Sequence, residues 1–143
     1  MTSTPDTAAW AAQEAVVRLF EQLPALTGAD PDLQRRGRLF TCDFQIVVGA
    51  QALIVSVAEG RVREVVRGPF LMRNTDFSVS AAPETWMKLL QPYPEAGFHD
   101  VLALSKTGRI VISGNLQPFM GSLQVVKDII TAPRALTAKG QSS

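Results

Sequence analysis

Apolar residues along this chain recur first with a helical period, then with a period of two, and then with a helical period again. Near the start, Val16, Leu19, Phe20 and Leu23 fall at helical spacing behind Thr4, Pro5 and Asp6. Those three supply an N-cap, a first-turn proline and an acid at the positive helix end. An amphipathic helix is predicted over 1–24, ending near Pro24. The next stretch, "TGADPDLQRRGR", is rich in Gly, Pro and charge and reads as a linker over 25–39.

From Phe40 the period is two. Phe40, Cys42, Phe44, Ile46 and Val48 share one face while Thr41, Asp43 and Gln45 share the other, as a half-buried strand requires. After Gly49, "QALIVSVA" repeats the alternation with Leu53, Val55 and Val57, and Glu59-Gly60 turns the chain into "RVREVVR". These three strands predict an antiparallel meander. "DFSVSA" predicts a fourth strand with Phe77 and Val79 on one side, and Pro83 opens a helix whose Trp86, Leu89 and Leu90 form an apolar stripe. "FHDVLALSKTG" predicts a short helix closed by Gly108, and "RIVIS" a fifth strand with Ile110 and Ile112 aligned. Behind Pro118, Phe119, Leu123, Val126 and Ile130 stack along one last helix, with Met120 and Ile129 widening the stripe. Pro133 is expected to stop it and leave 132–143 as a frayed tail. The connection from Arg67 to Asp76, which sets Phe70, Leu71 and Met72 between Arg67 and Arg73, has no predicted path.

Strands with one apolar face need cover. The expected fold is therefore α+β, a five-stranded and mainly antiparallel sheet with helices packed on one face. One domain is expected over 1–143, with the sheet and its lid helices over 40–131. At 143 residues, 46% of them hydrophobic, the chain has material for a core. Its formal net charge of +1 argues against nucleic acid as a partner. A single cysteine excludes an intramolecular disulfide. The opening residues lack a basic segment followed by an apolar run, so the cytoplasm is the expected compartment. No apolar run approaches the roughly 20 residues that span a bilayer.

Candidate chemistry is sparse. One histidine, His99, and one cysteine, Cys42, exclude paired-His metal cages and thiolate clusters, and no metal or other cofactor is expected. His99 reads as a polar residue at a helix start. Cys42 lies on the apolar face of a strand, where it behaves as a small hydrophobe. Asp43 and Asp76 fall beside strands; facing each other they would suggest acid-base chemistry, and otherwise they are solvent-facing. No glycine-rich phosphate loop is present. The chain reads as a non-enzyme, with isomerase-like or hydratase-like activity in an apolar pocket as the catalytic alternative.

Several phrases in order, "FTCDFQI", "VAEGRV", "DFSVSAAPETWMKLL" and "LALSKTGRIVISGNLQPFMGSL", resemble the sterol carrier protein 2 (SCP2-like) family of lipid-binding domains. The resemblance covers about Asp32 to Ile130. It implies an apolar tunnel between sheet and helices that accepts a fatty acid, acyl-CoA or sterol, and hence a binding and transfer function. In this chain the lining would fall to Phe44, Ile46, Val55, Phe77, Trp86, Leu90, Ile112, Phe119, Met120, Leu123, Val126 and Ile130. The same residues packed in a dry core would give the same pattern. Arg35, Arg36 and Arg38 before the first strand, and Arg67 and Arg73 around the apolar connection, are candidates for a ligand head group or transient membrane-surface contact. The alternative is a ligand-free oligomerisation or interaction module associated with an enzyme, and the chain is expected as a monomer or homodimer.

Overall fold

Alternation along Cys42–Val48 becomes a strand whose residues are buried and half-buried in turn. In a computed structural model that describes residues 3–69 and 74–141, this strand, β1, occupies the centre of a five-stranded sheet ordered β3-β2-β1-β4-β5. The other strands are β2 (Gln51–Ala58), β3 (Arg61–Arg67), β4 (Phe77–Ala81) and β5 (Ile110–Gly114). The predicted meander forms, with β1 antiparallel to β2 and β2 antiparallel to β3. β4 runs parallel to β1 and antiparallel to β5. The chain from Arg67 to Asp76 therefore returns from one end of the sheet to the other. Its described end, Thr75, receives a hydrogen bond from Gln45 Nε2 at 3.3 Å, on the sheet face away from the core. Phe70, Leu71, Met72 and Arg73 lie outside the described residues.

Helices α1 (Ser3–Phe20), α2 (Leu23–Gly28) and α3 (Pro31–Arg36) precede the sheet; α4 (Pro83–Leu89) and α5 (Val101–Lys106) separate β4 from β5. α6 (Gln117–Gly121), α7 (Leu123–Thr131) and α8 (Arg134–Gln141) follow β5. One buried apolar cluster joins the inward residues of the strands to α1 through α7, among them Val16, Phe20, Leu33, Trp86, Leu104, Phe119 and Ile130.

Three expectations differ from what forms. The predicted linker over 25–39 is mostly helical, because Pro24 and Pro31 sit in the first turns of α2 and α3, where a missing N–H costs nothing. Asp30 caps α3 by accepting from Leu33 N at 3.1 Å, and Leu33 is buried. Thr27 is buried in α2, where its hydroxyl donates to Leu23 O at 2.9 Å and accepts from Val62 N at 3.0 Å, tying the helix to β3. The single last helix is broken at Ser122 into α6 and α7. The expected tail forms α8, with the Pro133 carbonyl accepting from Leu136 N and Thr137 N. The end of α5 forms as expected: Gly108 N donates to Ser105 O and Arg109 N to Leu104 O, satisfying the last carbonyls.

The β2–β3 turn fixes this layer against the sheet. Glu59 (φ 53°) and Gly60 (φ 81°) both have positive φ, as a tight two-residue hairpin turn demands. A Cβ on Gly60 would lie 2.8 Å from the backbone C and O of Gly37, atoms that cannot swing aside. Gly60→Ala is therefore expected to cost about 2–4 kcal/mol. Gly97→Ala, at φ 90° with nothing within 4 Å of its Cβ, is expected to cost only about 1 kcal/mol. Urea unfolding of the two variants checks this; equal losses would mean that the Gly37 contact contributes nothing.

Candidate functional site

The inward face of β1 and β4 carries two phenylalanines side by side. Phe44 and Phe77 stack with ring centroids 4.9 Å apart and planes at 8°. Phe77 is paired across the β4–β5 ladder with Gly114, which places no side chain beside it. Gly114 has φ 97°, and a Cβ there would meet Asp76 O at 2.9 Å. The chain therefore leaves β5 at this residue and turns into α6. One turn later Phe119 folds back over the vacant position, edge-on to Phe77 at 5.3 Å and 79°. The result is a three-ring stack between sheet and helices, closed by a helix of five residues.

Nine of the predicted tunnel residues are buried on this face or in the helices covering it: Phe44, Ile46, Val55, Phe77, Trp86, Leu90, Phe119, Val126 and Ile130. Ile112 and Leu123 are half-buried and pack against the same cluster. Met120 points outward and is 55% exposed. The break at Ser122 shifts the phase of the stripe, so that α6 turns Phe119 inward and its neighbour outward. Leu116, 41% exposed, joins Met120 on the outer side; sequence reading missed it because it precedes the proline taken as the helix start. At the opposite end of β1, Trp86 Nε1 donates to Val47 O at 2.9 Å, and the indole meets Phe20 edge-on at 5.2 Å.

The arginines are not gathered at one mouth. Arg67 binds Glu21 through Nε at 2.7 Å and Glu14 through a second guanidinium nitrogen at 2.7 Å, clasping α1 to β3. Its hydrogen bonds hold both carboxyls below the usual range. Arg36 pairs with Asp32 at 2.9 Å and with Asp128 of α7 at 2.8 Å, and Arg35 also pairs with Asp32. Arg38 is exposed and makes no ion pair among the described residues. Arg73 lies outside them.

The polar candidates are likewise occupied. Cys42 Sγ donates to Asp76 Oδ2 at 3.1 Å. Burial first, and the neighbouring carboxylate second, push this thiol far above its usual range, so it stays protonated and is a poor nucleophile. Asp76 thus turns to the thiol rather than to Asp43, with which it shares only a backbone bond, Asp76 N to Asp43 O at 2.8 Å. His99 is exposed and lines a polar cleft of about 230 Å³ with Asp100, Gln124, Lys127, Asp128, Thr131 and Arg134. Lys127 is already bonded to Asp100 at 3.0 Å. Among the described residues, no group of three His, Cys, Asp or Glu could hold a metal ion, and no helix is long and apolar enough to cross a membrane.

A helix-covered five-stranded sheet of this order, with its buried aromatic face, defines an SCP2-like fold. A crystal structure of sterol carrier protein 2 matches with a TM-score of 0.59 and 14% identity, over 87% of this chain and 94% of that one. A palmitated SCP2L2 from Aedes aegypti matches with a TM-score of 0.52 and 20% identity, over 78% and 90% of the two chains. UbiJ-SCP2, a ubiquinone synthesis protein, matches with a TM-score of 0.54 and 21% identity, over 86% and 95%. Neither a family model nor a curated protein sequence matches the chain.

Proposed function

We propose that this protein binds a hydrophobic small molecule, a fatty acid, acyl-CoA or sterol, between its sheet and the helices α4 to α7, and hands it on without chemical change. The observation that carries this reading is the stack of Phe44, Phe77 and Phe119 beneath α6. Two of the rings are fixed by the sheet, and the third, Phe119, is held by a helix too short to be stable on its own. An entering hydrocarbon chain would displace Phe119, occupy the space over Phe77 and Ile112, and gain about 0.8 kcal/mol per buried methylene. Ten methylenes, worth roughly 8 kcal/mol, would offset the loss of one ring's contacts. Affinity should then follow chain length more than head group, since Arg35, Arg36 and Arg67 are already paired. Palmitate on a protein of the same fold supports the same ligand class.

Native mass spectrometry of freshly purified protein, followed by organic extraction, tests the reading. A copurified acyl or steroid molecule, or displacement of a fluorescent acyl probe with affinity rising from C8 to C16, is the expected result. Protein that is ligand-free and binds no probe would overturn it, and a concentration-independent dimer in that state would favour the interaction module.

A further inference from the structure

The two edges of the sheet are finished differently. Along β3, Arg61, Arg63, Glu64 and Arg67 are exposed, the pairing with β2 is interrupted between Ser56 and Val57, and the outward N–H of Val62 is taken up by the Thr27 hydroxyl of α2. Charge, irregular pairing and a covering helix all keep a sheet edge from recruiting another strand. The β5 edge has none of them. Ile110–Gly114 carries no charge and no proline, pairs with β4 without a shift, and leaves Val111 57% exposed. Ala81 O accepts from Gly49 N at 2.9 Å and Asp76 O from Asn115 N at 2.7 Å. Odd-numbered residues of β4 therefore turn their backbone groups to β1, and Ser78 and Ser80 turn theirs to Ser113 and Val111. That phase points the N–H and C=O of Ile110 and Ile112, and the N–H of Gly114, away from the sheet, where no described residue bonds them.

We propose that β5 is the seam of a homodimer, in which two copies pair antiparallel about a two-fold axis at Ile112 and join their sheets into one. Self-complementarity selects a second copy as the occupant. About that axis the free N–H and C=O of Ile112 meet their own counterparts, and the Gly114 N–H of each copy meets the Ile110 carbonyl of the other. The side chains match in the same register: half-buried Ile112 meets its counterpart, Val111 lies opposite Ser113, and Ile110 lies opposite Gly114, large against small. The ends match in charge. Exposed Lys106 and Arg109 precede β5, with Arg109 over the Phe98 ring at 4.8 Å, and Asp76 is bonded to Asn115 at the other end. Antiparallel pairing sets the cationic end of one copy against the acidic end of the other. Arg38 and the Glu59–Arg61 turn belong to the β1 and β2 ends, two or three strands and roughly 10–14 Å from the seam. An unrelated strand would satisfy the backbone but not this side-chain pairing.

Sedimentation velocity of the full chain, stripped of any ligand, tests the seam independently of the lipid-carrier reading. A contact this short buries less than the roughly 800 Å² per partner of a stable interface, so a reversible dimer half-formed on the order of 100 µM is expected. Val111→Lys, on the outer face of the edge, should weaken association about tenfold or more by setting like charges near the axis. Mild oxidation of two cysteine variants tests the register. Ile112→Cys should give a disulfide-linked dimer, because residues directly opposite lie about 5.5 Å apart. Ser113→Cys should not, because two copies of that residue lie diagonally about 7–8 Å apart. Cys42, buried and held protonated, takes no part in either. Protein that stays monomeric, whether or not it captures an extended peptide along β5, would overturn the seam. So would equal cross-linking of the two cysteine variants, or undiminished association of Val111→Lys.

Discussion

Trimming Phe119 to alanine is expected to cost the empty protein about 3–5 kcal/mol and to cost much less when a long-chain fatty acid is bound. The ring is buried and meets Phe77 edge-on, and it is the main anchor of α6, because Leu116, Gln117 and Met120 face solvent. Its removal leaves a void over β4 and β5 that the protein cannot close without drawing α6 inward. A hydrocarbon chain fills the same void without having to expel anything. Equilibrium unfolding in urea, with and without saturating dodecanoate, checks this. The stabilisation produced by the ligand should be larger in Phe119→Ala than in the parent. Equal stabilisation would show that ring and ligand do not compete for one space.

The second large effect is expected at Trp86. Trp86→Ala should lose about 4 kcal/mol, since it empties the volume of a fully buried indole and removes its hydrogen bond to Val47 O. Against a total stability of roughly 5–15 kcal/mol, this puts the fold near its limit. Trp86→Phe keeps the edge contact to Phe20 but not the hydrogen bond, and should lose about 1–2 kcal/mol. Thermal and urea unfolding of both variants would show the order. If Trp86→Phe fell as far as Trp86→Ala, the Val47 bond would be the dominant contribution rather than packing.

The central strands were legible because one side of β1, β2 and β4 is buried. Phe44, Ile46 and Val48 could point inward only in one register, and a slip of one residue would expose all of them. Ile54 escaped the pattern: it is buried although its neighbours Leu53 and Val55 face the core, so strict alternation misassigns it. The parallel pairing of β1 with β4 was not readable either, since it depends on how the Arg67–Asp76 connection crosses the sheet. Proline was the main source of error in the helical layer. α1 ends before Pro24 and α7 before Pro133, as stops at these prolines require, but each also lies at the start of a new helix, which a stop signal does not reveal; the Asp30-Pro31 cap was hidden in a stretch that looked like a linker. In the closing helix, spacing turned Phe119 inward, as the fold has it, but put Met120 on the same side, where the fold exposes it. The phase of a one-turn helix depends on where it breaks, and Gly121-Ser122 gave no periodic signal. The arginines misled because charge density says nothing about partners, and Glu14, Glu21, Asp32 and Asp128 had already claimed three of them.

The two ends of β1 differ in a way that bears on traffic. At its far end the backbone at Gly49 and Ala50 is pressed against Gln13 and Pro83, with Ala50 N bonded to Gln13 Oε1 at 2.9 Å, and Trp86 sits just beneath. At the near end stand a thin helix and a ring. If the proposed ligand is admitted only beside α6, it would have to enter tail first and leave head first, so its polar end would always be the last part in and the first part out. Exchange would then need no tumbling inside the protein. Two molecules could not pass each other, and unloading would have to finish before the next loading began.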